Sequence, residues 1–176
     1  KPSSAASDVY KRQGEETSIF LKMNSLTDRQ LIDALKEASQ AGVKIKMIIR
    51  GICCILPGIE GKTDNIEVIS VVGRFLEHSR IFCFGTDENM KMYIASADWM
   101  TRNTENRVEI AAPIYDQKIK NSIYDTLRIM WKDNLKARIL CSDGTYKKPE
   151  IKEGDELIDC QNYLRHEYKV GRKIKL

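Results

Sequence analysis

GRFLEHSRIFCFGTDENMKMYIASADWMTRN, Gly73 to Asn103, is the stretch on which the fold turns. Ile81–Phe84 and Met92–Ala95 are short apolar runs, and Gly85–Asn89 between them is rich in turn formers. The pattern predicts a β-hairpin. His78, one of only two histidines, precedes the first strand, with Arg74 and Arg80 nearby. Ser96, Asp98, Arg102 and Asn103 follow the second. A hairpin brings the start of one strand to the end of the other, so imidazole, guanidinium and carboxylate meet at one sheet end. Such a set suits phosphate, because arginine offers an oxyanion a fixed fork of donors and histidine changes charge near neutral pH. Pattern alone leaves open that His78 is a plain surface residue after Glu77.

Toward the N-terminus, Ile19–Met23 reads as a strand. Thr27 with Gln30 forms a capping-box pattern opening a helix over Thr27–Ala41. Its apolar stripe is Leu31, Leu35, Ala38 and Ala41, and Gly42 is its stop. Val43–Ile49 is the next strand. Strand, helix and strand in this order predict a parallel pair with a right-handed crossover. Arg50 follows that second strand directly, and ligands of open α/β sheets bind beyond the carboxyl ends of strands. Gly51 lets the backbone approach closely. From position alone, an Arg50 that merely caps the sheet is an equal reading. Lys22 and Asn24 share one face of the first strand and rank second as phosphate ligands, against a solvated lysine at a strand edge.

Pro57–Asn65 is a loop and Ile66–Val72 a strand. Beyond Asn103, Arg107–Pro113 reads as a strand with Arg107 and Glu109 on one face; a solvated ion pair is the competing reading. Asp116–Leu135 is a helix whose stripe of Ile119, Ile123, Leu127, Met130 and Trp131 belongs to the core. Ala137–Cys141 is a last strand before a turn at Ser142–Gly144. Glu156–Tyr168 forms a terminal helix with His166 on its surface. The expected fold is α/β, a single domain with a mixed sheet of roughly five to seven strands flanked by helices.

The 176 residues fit one domain, and 42% apolar with 31% charged residues is ordinary globular composition. A net charge of +4 is too weak to argue for nucleic acid by itself. It is compatible with an anionic substrate if the basic groups converge. Five cysteines, an odd number without zinc spacing, read as reduced buried thiols. No apolar run approaches the roughly 20 residues that span a bilayer. Residues 1–16 have no hydrophobic period and are read as disordered or appended, SSAASDVYKRQ resembling adaptor sequence.

LKMNSLTDRQLIDALKEASQAGVKI, IIRGICC, RFLEHSRIFCF and YIASADWMTRN together resemble the C-terminal domain of bacterial polyphosphate kinase. That domain is phospholipase D-like, and residues 17–176 are expected to form it. Phospholipase D carries His-x-Lys-(x4)-Asp. Here His78-Ser79-Arg80 is followed by Gly85 in the place of the acid, a departure from a working phospholipase signature.

The resemblance implies reversible transfer of the terminal phosphate of ATP to polyphosphate, with Mg2+, in the cytoplasm or at the membrane periphery. It implies that Arg50 and His78 contact the nucleotide or phosphate chain and that Arg107 belongs to the wall of the site. On that chemistry Arg50, Arg80, Arg102 and Arg107 hold phosphate oxygens, with Lys22 and Asn24 behind them, and His78 is the catalytic proton donor. Asp98 orients a basic group or lies near magnesium. The implied partners are ATP or ADP, polyphosphate, the remaining domains of the same enzyme and a second copy in a homo-oligomer, with no nucleic acid. The family's phosphohistidine lies on a neighbouring domain and matches neither His78 nor His166, so this chain alone is expected to be inactive. Two other classes stay open: a phospholipase D-like nuclease or lipid hydrolase with His78 as nucleophile, and a non-catalytic polyanion-binding module.

Overall fold

Continuous burial from Phe20 to Met23 makes β1 a strand covered on both faces. Ile19, Leu21 and Met23 pack into one apolar cluster and Phe20 into another. The computed structural model describes residues 18–86 and 89–169, and the segment 1–16 read as appended lies outside the described residues. After β1 come α1 (Arg29–Gln40) and β2 (Lys44–Ile49). β2 pairs parallel with β1, Lys22 opposite Ile48, as the strand–helix–strand pattern requires. The helix cap differs from the expected one. Asp28, not Thr27, accepts from the Leu31 amide at 3.0 Å. Thr27 instead donates its own amide to the Trp99 carbonyl. The buried stripe of α1 is Ile32, Leu35, Ala38 and Ser39, so the helix is rotated toward Ile32 relative to the expected face.

β3 (Ile66–Val71) extends the parallel run. The hairpin forms as β4 (Ile81–Phe84) and β5 (Lys91–Ala95), antiparallel, with Ile81 opposite Ile94. β4 also pairs antiparallel with β1, Lys22 opposite Ile81. A short helix α2 (Thr101–Asn106) then precedes β6 (Ala111–Ile114). Arg107 is therefore the C-cap of α2 rather than the first residue of a strand, and pairing with β5 begins only at Ala111. α3 (Gln117–Trp131), β7 (Ala137–Leu140), the two-residue β8 (Tyr146–Lys147) and α4 (Cys160–Lys169) complete the order.

The strands form one mixed eight-stranded sheet, β6-β5-β4-β1-β2-β3-β7-β8, one strand more than the upper expectation because Tyr146–Lys147 folds back on β7. Helix α1 covers one face through Ile32, Leu35 and Ala38. On the other face α3 packs Leu127, Ile129 and Met130, and α4 packs Cys160, against Phe20, Ile48 and Ile69. Phe20 meets the rings of Tyr124 and Trp131 edge-on at 5.9 and 5.6 Å. This is the α/β sandwich expected for a single domain. Of the cysteines, Cys83 and Cys160 are buried, Cys53 and Cys141 half-buried and Cys54 exposed, all unpaired. The exposed Cys54 departs from the expectation of buried thiols; burial pushes the Cys83 thiol up to about 12. Among the described residues no helix is long and apolar enough to cross a membrane.

Candidate functional site

Strand directions bring four chain segments of the candidate site to one end of the sheet. β1 and β2 are parallel and in register to Met23 opposite Ile49, so Asn24 and Arg50 emerge side by side. β4 and β5 run so that the residues before Ile81 and after Ala95 arrive at the same end. Residues 24–28 are then stitched to both neighbours: Leu26 donates its amide to the Ile52 carbonyl at 2.8 Å, and the Cys54 amide returns to the Leu26 carbonyl at 2.9 Å. Gly51 is needed here, because a Cβ would stand 2.8 Å from the Asn24 carbonyl oxygen.

Asp98 is the centre of the set. It is buried, and its Oδ1 accepts from the Asn24 backbone N–H at 2.7 Å and from Asn24 Nδ2 at 2.9 Å. Arg80 donates to it twice, Nε to Oδ1 at 3.2 Å and Nη2 to Oδ2 at 3.1 Å. Burial alone would raise the Asp98 carboxyl, but the hydrogen bonds from Arg80 and Asn24 outweigh it and hold the group below the usual carboxylate range. Asn24 passes the order on, its Oδ1 accepting from Arg50 Nε at 2.6 Å. With Nε so held, the two terminal nitrogens of Arg50 keep their donors for another group.

His78 is exposed and lies against the Arg80 guanidinium, Nδ1 3.2 Å from Nη1 and Nε2 3.4 Å from Nη2. Lys22 lies behind them, its side chain 3% exposed. It donates to the Ser79 carbonyl at 3.1 Å and Ser79 Oγ at 2.8 Å, and pairs with Glu77 at 3.6 Å. Burial lowers the Lys22 pKa; Glu77 opposes that shift and Arg50 adds to it.

A contact between distant parts of the sequence holds the segment that carries His78. Gln161 of α4, itself buried, accepts from the Phe75 amide at 2.9 Å and donates to the Phe75 carbonyl at 2.8 Å and to Glu77 at 3.1 Å. Gly73 makes room, since a Cβ there would lie 2.5 Å from Gln161 Oε1. Helix α4 is fixed in turn by Asp133, whose carboxylate accepts from the amides of Lys136, Ala137 and Cys160 at 2.7, 2.9 and 2.8 Å.

The structure thus joins Asn24, Arg50, His78, Arg80 and Asp98 in one hydrogen-bonded network, with Lys22 beside it on Ser79 and Glu77. Arg102 and Arg107 are exposed at the same sheet end and make no hydrogen bond or ion pair with that network. Glu109 bonds the Ser96 hydroxyl rather than Arg107. Glu77, Ser79 and Gln161 are additional members that pattern reading did not supply. Glu77 and Ser79 flank His78 and were within reach of inspection; Gln161 is 86 residues from Phe75 and leaves no local signal. Gly85, in the place of the phospholipase acid, lies at the far end of β4 from His78. With both oxygens of Asp98 bonded to Arg80 and Asn24, this donor set does not fit a resident metal. No group of three acidic, histidine or cysteine side chains suited to a metal occurs among the described residues.

The family model described as Polyphosphate kinase C-terminal domain 2 matches residues 6–161. Polyphosphate kinase of Bacillus anthracis is 51% identical over 152 residues, covering 86% of this chain and 22% of that protein. The crystal structure of polyphosphate kinase from Porphyromonas gingivalis superposes with a TM-score of 0.89 at 35% identity, covering 95% of this chain and 26% of that one. The phospholipase D family member Nuc from Salmonella typhimurium, at 17% identity and a TM-score of 0.52 over 82% of this chain and 88% of its own, shares the fold. The chain spans about a fifth of the length of the curated relatives it matches.

Proposed function

The chain belongs to the polyphosphate kinase family, and from that premise we propose that it supplies the phosphate-binding wall of an enzyme that moves the terminal phosphoryl group of ATP to polyphosphate and back. In the forward direction the bond from the γ-phosphorus to the β,γ-bridging oxygen breaks. A P–N bond forms to a histidine of a neighbouring domain. It breaks in turn when a terminal oxygen of polyphosphate takes the phosphoryl group, lengthening the chain by one and leaving ADP.

What supports the reading is one observation: Arg50 and His78 lie at the same end of the sheet on either side of β1, Arg50 bonded to Asn24 and His78 against Arg80, with Asn24 and Arg80 both bonded to Asp98. Phosphoryl transfer asks mainly for positioned charge. Arg50 offers its two terminal nitrogens to phosphate oxygens in a fork that lysine cannot reproduce. Arg80 is anchored by Asp98 and places its charge beside the imidazole. His78 gives a proton to a phosphate oxygen. Arg102 and Arg107 stand ready on the rim, and Lys22 and Asn24 support the wall from behind. Magnesium would come with the nucleotide rather than on a residue of this wall, and would offset phosphate charge. The partners in this reading are ATP or ADP, polyphosphate, the remaining domains and a second copy; the site is cytoplasmic.

Binding and turnover test it. A lost charge-assisted hydrogen bond costs about 1.5–3 kcal/mol, so Arg50→Ala should weaken polyphosphate binding about ten- to a hundredfold. Arg50→Lys should recover only part of that. His78→Gln, combined with the remaining domains, should lose rate more than affinity. This chain alone with labelled ATP should form no acid-labile phosphohistidine. Unchanged affinity in Arg50→Ala together with full turnover in His78→Gln would remove both from the site.

A further inference from the structure

The sheet end that carries Arg50 continues past it. β3 lies next to β2 and β7 next to β3. Val71, the last residue of β3, pairs with Ala137, the first of β7. Arg74 therefore leaves β3 and Lys136 enters β7 at the same end as Lys22, Asn24 and Arg50. Both line one cavity of about 460 Å³, together with Gly73, Asp159, Gln161 and Asn162.

The cavity is built from fixed parts. The Arg74 guanidinium lies over the Phe75 ring at 5.7 Å. The Lys136 backbone is pinned by its amide bond to Asp133 at 2.7 Å. The Gln161 amide is used on the Phe75 backbone and the Glu77 side chain, so it does not compete for a ligand. Neither Arg74 nor Lys136 has an ion-pair partner among the described residues. The one carboxylate in the lining, Asp159, already accepts from Asn162 N at 3.1 Å and Nδ2 at 2.9 Å. Two exposed cations against one hydrogen-bonded carboxylate leave the cavity positive.

Neighbouring strands are about 4.8 Å apart, so two steps across the sheet put the Lys136 end roughly 10 Å from the Arg50 end. A single phosphate can use only one of the two places. A long linear polyanion can use both at once. We infer that the Arg74–Lys136 cavity is a second phosphate subsite that takes the body of a polyphosphate chain whose end lies at Arg50 and His78. This rests on the proposed function above and adds the course of the chain across β3 and β7. Binding there is a contact of charge with charge, weakened by salt.

The experiment compares two ligands on four proteins by calorimetry at low ionic strength. The ligands are pyrophosphate, too short to reach the cavity, and long-chain polyphosphate. The proteins are the unaltered chain, Arg74→Ala/Lys136→Ala, Arg50→Ala, and Lys44→Ala/Lys62→Ala, which removes two charges at the opposite end of the sheet. The subsite predicts that Arg74→Ala/Lys136→Ala loses about tenfold in affinity for the long chain, the sum of two modest exposed contacts, and keeps its affinity for pyrophosphate. Arg50→Ala should lose both. An equal loss in Lys44→Ala/Lys62→Ala would mean diffuse attraction and overturn the subsite. So would an unchanged long-chain affinity in Arg74→Ala/Lys136→Ala, while a loss confined to Arg50→Ala would leave the proposed function standing without it. A loss in Arg74→Ala/Lys136→Ala with none in Arg50→Ala would support the subsite and refute the Arg50 site. Thermal unfolding of each variant guards against misfolding.

Discussion

Replacing Asp98 by alanine should cost more than any other single change at the sheet end. The carboxylate is buried, and it accepts from the Asn24 amide, the Asn24 side chain and two nitrogens of Arg80. Its removal leaves an amide and a guanidinium without their acceptor. Breaking one side of a buried ion pair costs about 3–5 kcal/mol. The Arg80 side chain is 13% exposed and can recover some water, which places the value near the lower figure. For a chain of this length, about 3 kcal/mol corresponds to a melting point lower by roughly 6–12 °C. Asp98→Asn keeps one acceptor and should lose less. The pH dependence follows in sign. The folded carboxyl sits below its ordinary value, so its stabilisation is complete above the usual aspartate pKa of about 3.9 and disappears as pH falls through the depressed folded value. Asp98→Asn should therefore flatten the acid limb of the stability curve. Urea titrations across pH 2–7 (about the range in which carboxylates titrate) measure both. An Asp98→Ala change below about 0.5 kcal/mol, the size typical of surface substitutions, would refute the idea that this carboxylate organises the wall.

Two further substitutions probe the support behind the wall. Gly73→Ala drives a Cβ against Gln161 Oε1, and the amide can yield only by giving up its bonds to Phe75. Gly73→Ala and Gln161→Ala should each cost about 1–3 kcal/mol, while the double variant should be little worse than Gln161→Ala alone; simple additivity would show that the two are not coupled. In the core, Leu127 is fully buried between α3 and the sheet, so Leu127→Ala should lose about 2–5 kcal/mol by urea unfolding, with polyphosphate affinity preserved in the folded fraction.

The regular elements near a strong local signal were legible in the sequence. The hairpin, the parallel strand–helix–strand unit and the long helix α3 all carry hydrophobic periods that tertiary packing reinforces. The errors fall where two local signals compete. Thr27 and Asp28 are both good caps, and the Trp99 carbonyl claims the amide of Thr27 as well as that of Asp28, leaving the Asp28 side chain to cap the helix. Thr101–Asn106 has no apolar stripe, and its one buried residue is Asn103, so no period announced α2 or displaced Arg107 from the following strand. The same division runs through the site. Residues next to strand ends could be placed from strand direction alone, whereas Gln161 and Asp133 act across chain separations that no pattern in one sequence reveals.

Because Gln161 holds Phe75 and Glu77, the stretch before His78 loses its conformational freedom when α4 docks during folding. An arriving anion then has less disorder to remove, and more of its contact energy appears as affinity. A helix that acts on the His78 segment through Gln161 thus sets how ready that segment is. Fraying of α4 would return that freedom to residues 73–79 and weaken anion binding while the sheet itself stayed intact. Affinity and global melting would then follow different temperature courses, with a remote helix acting as the thermal governor of the site.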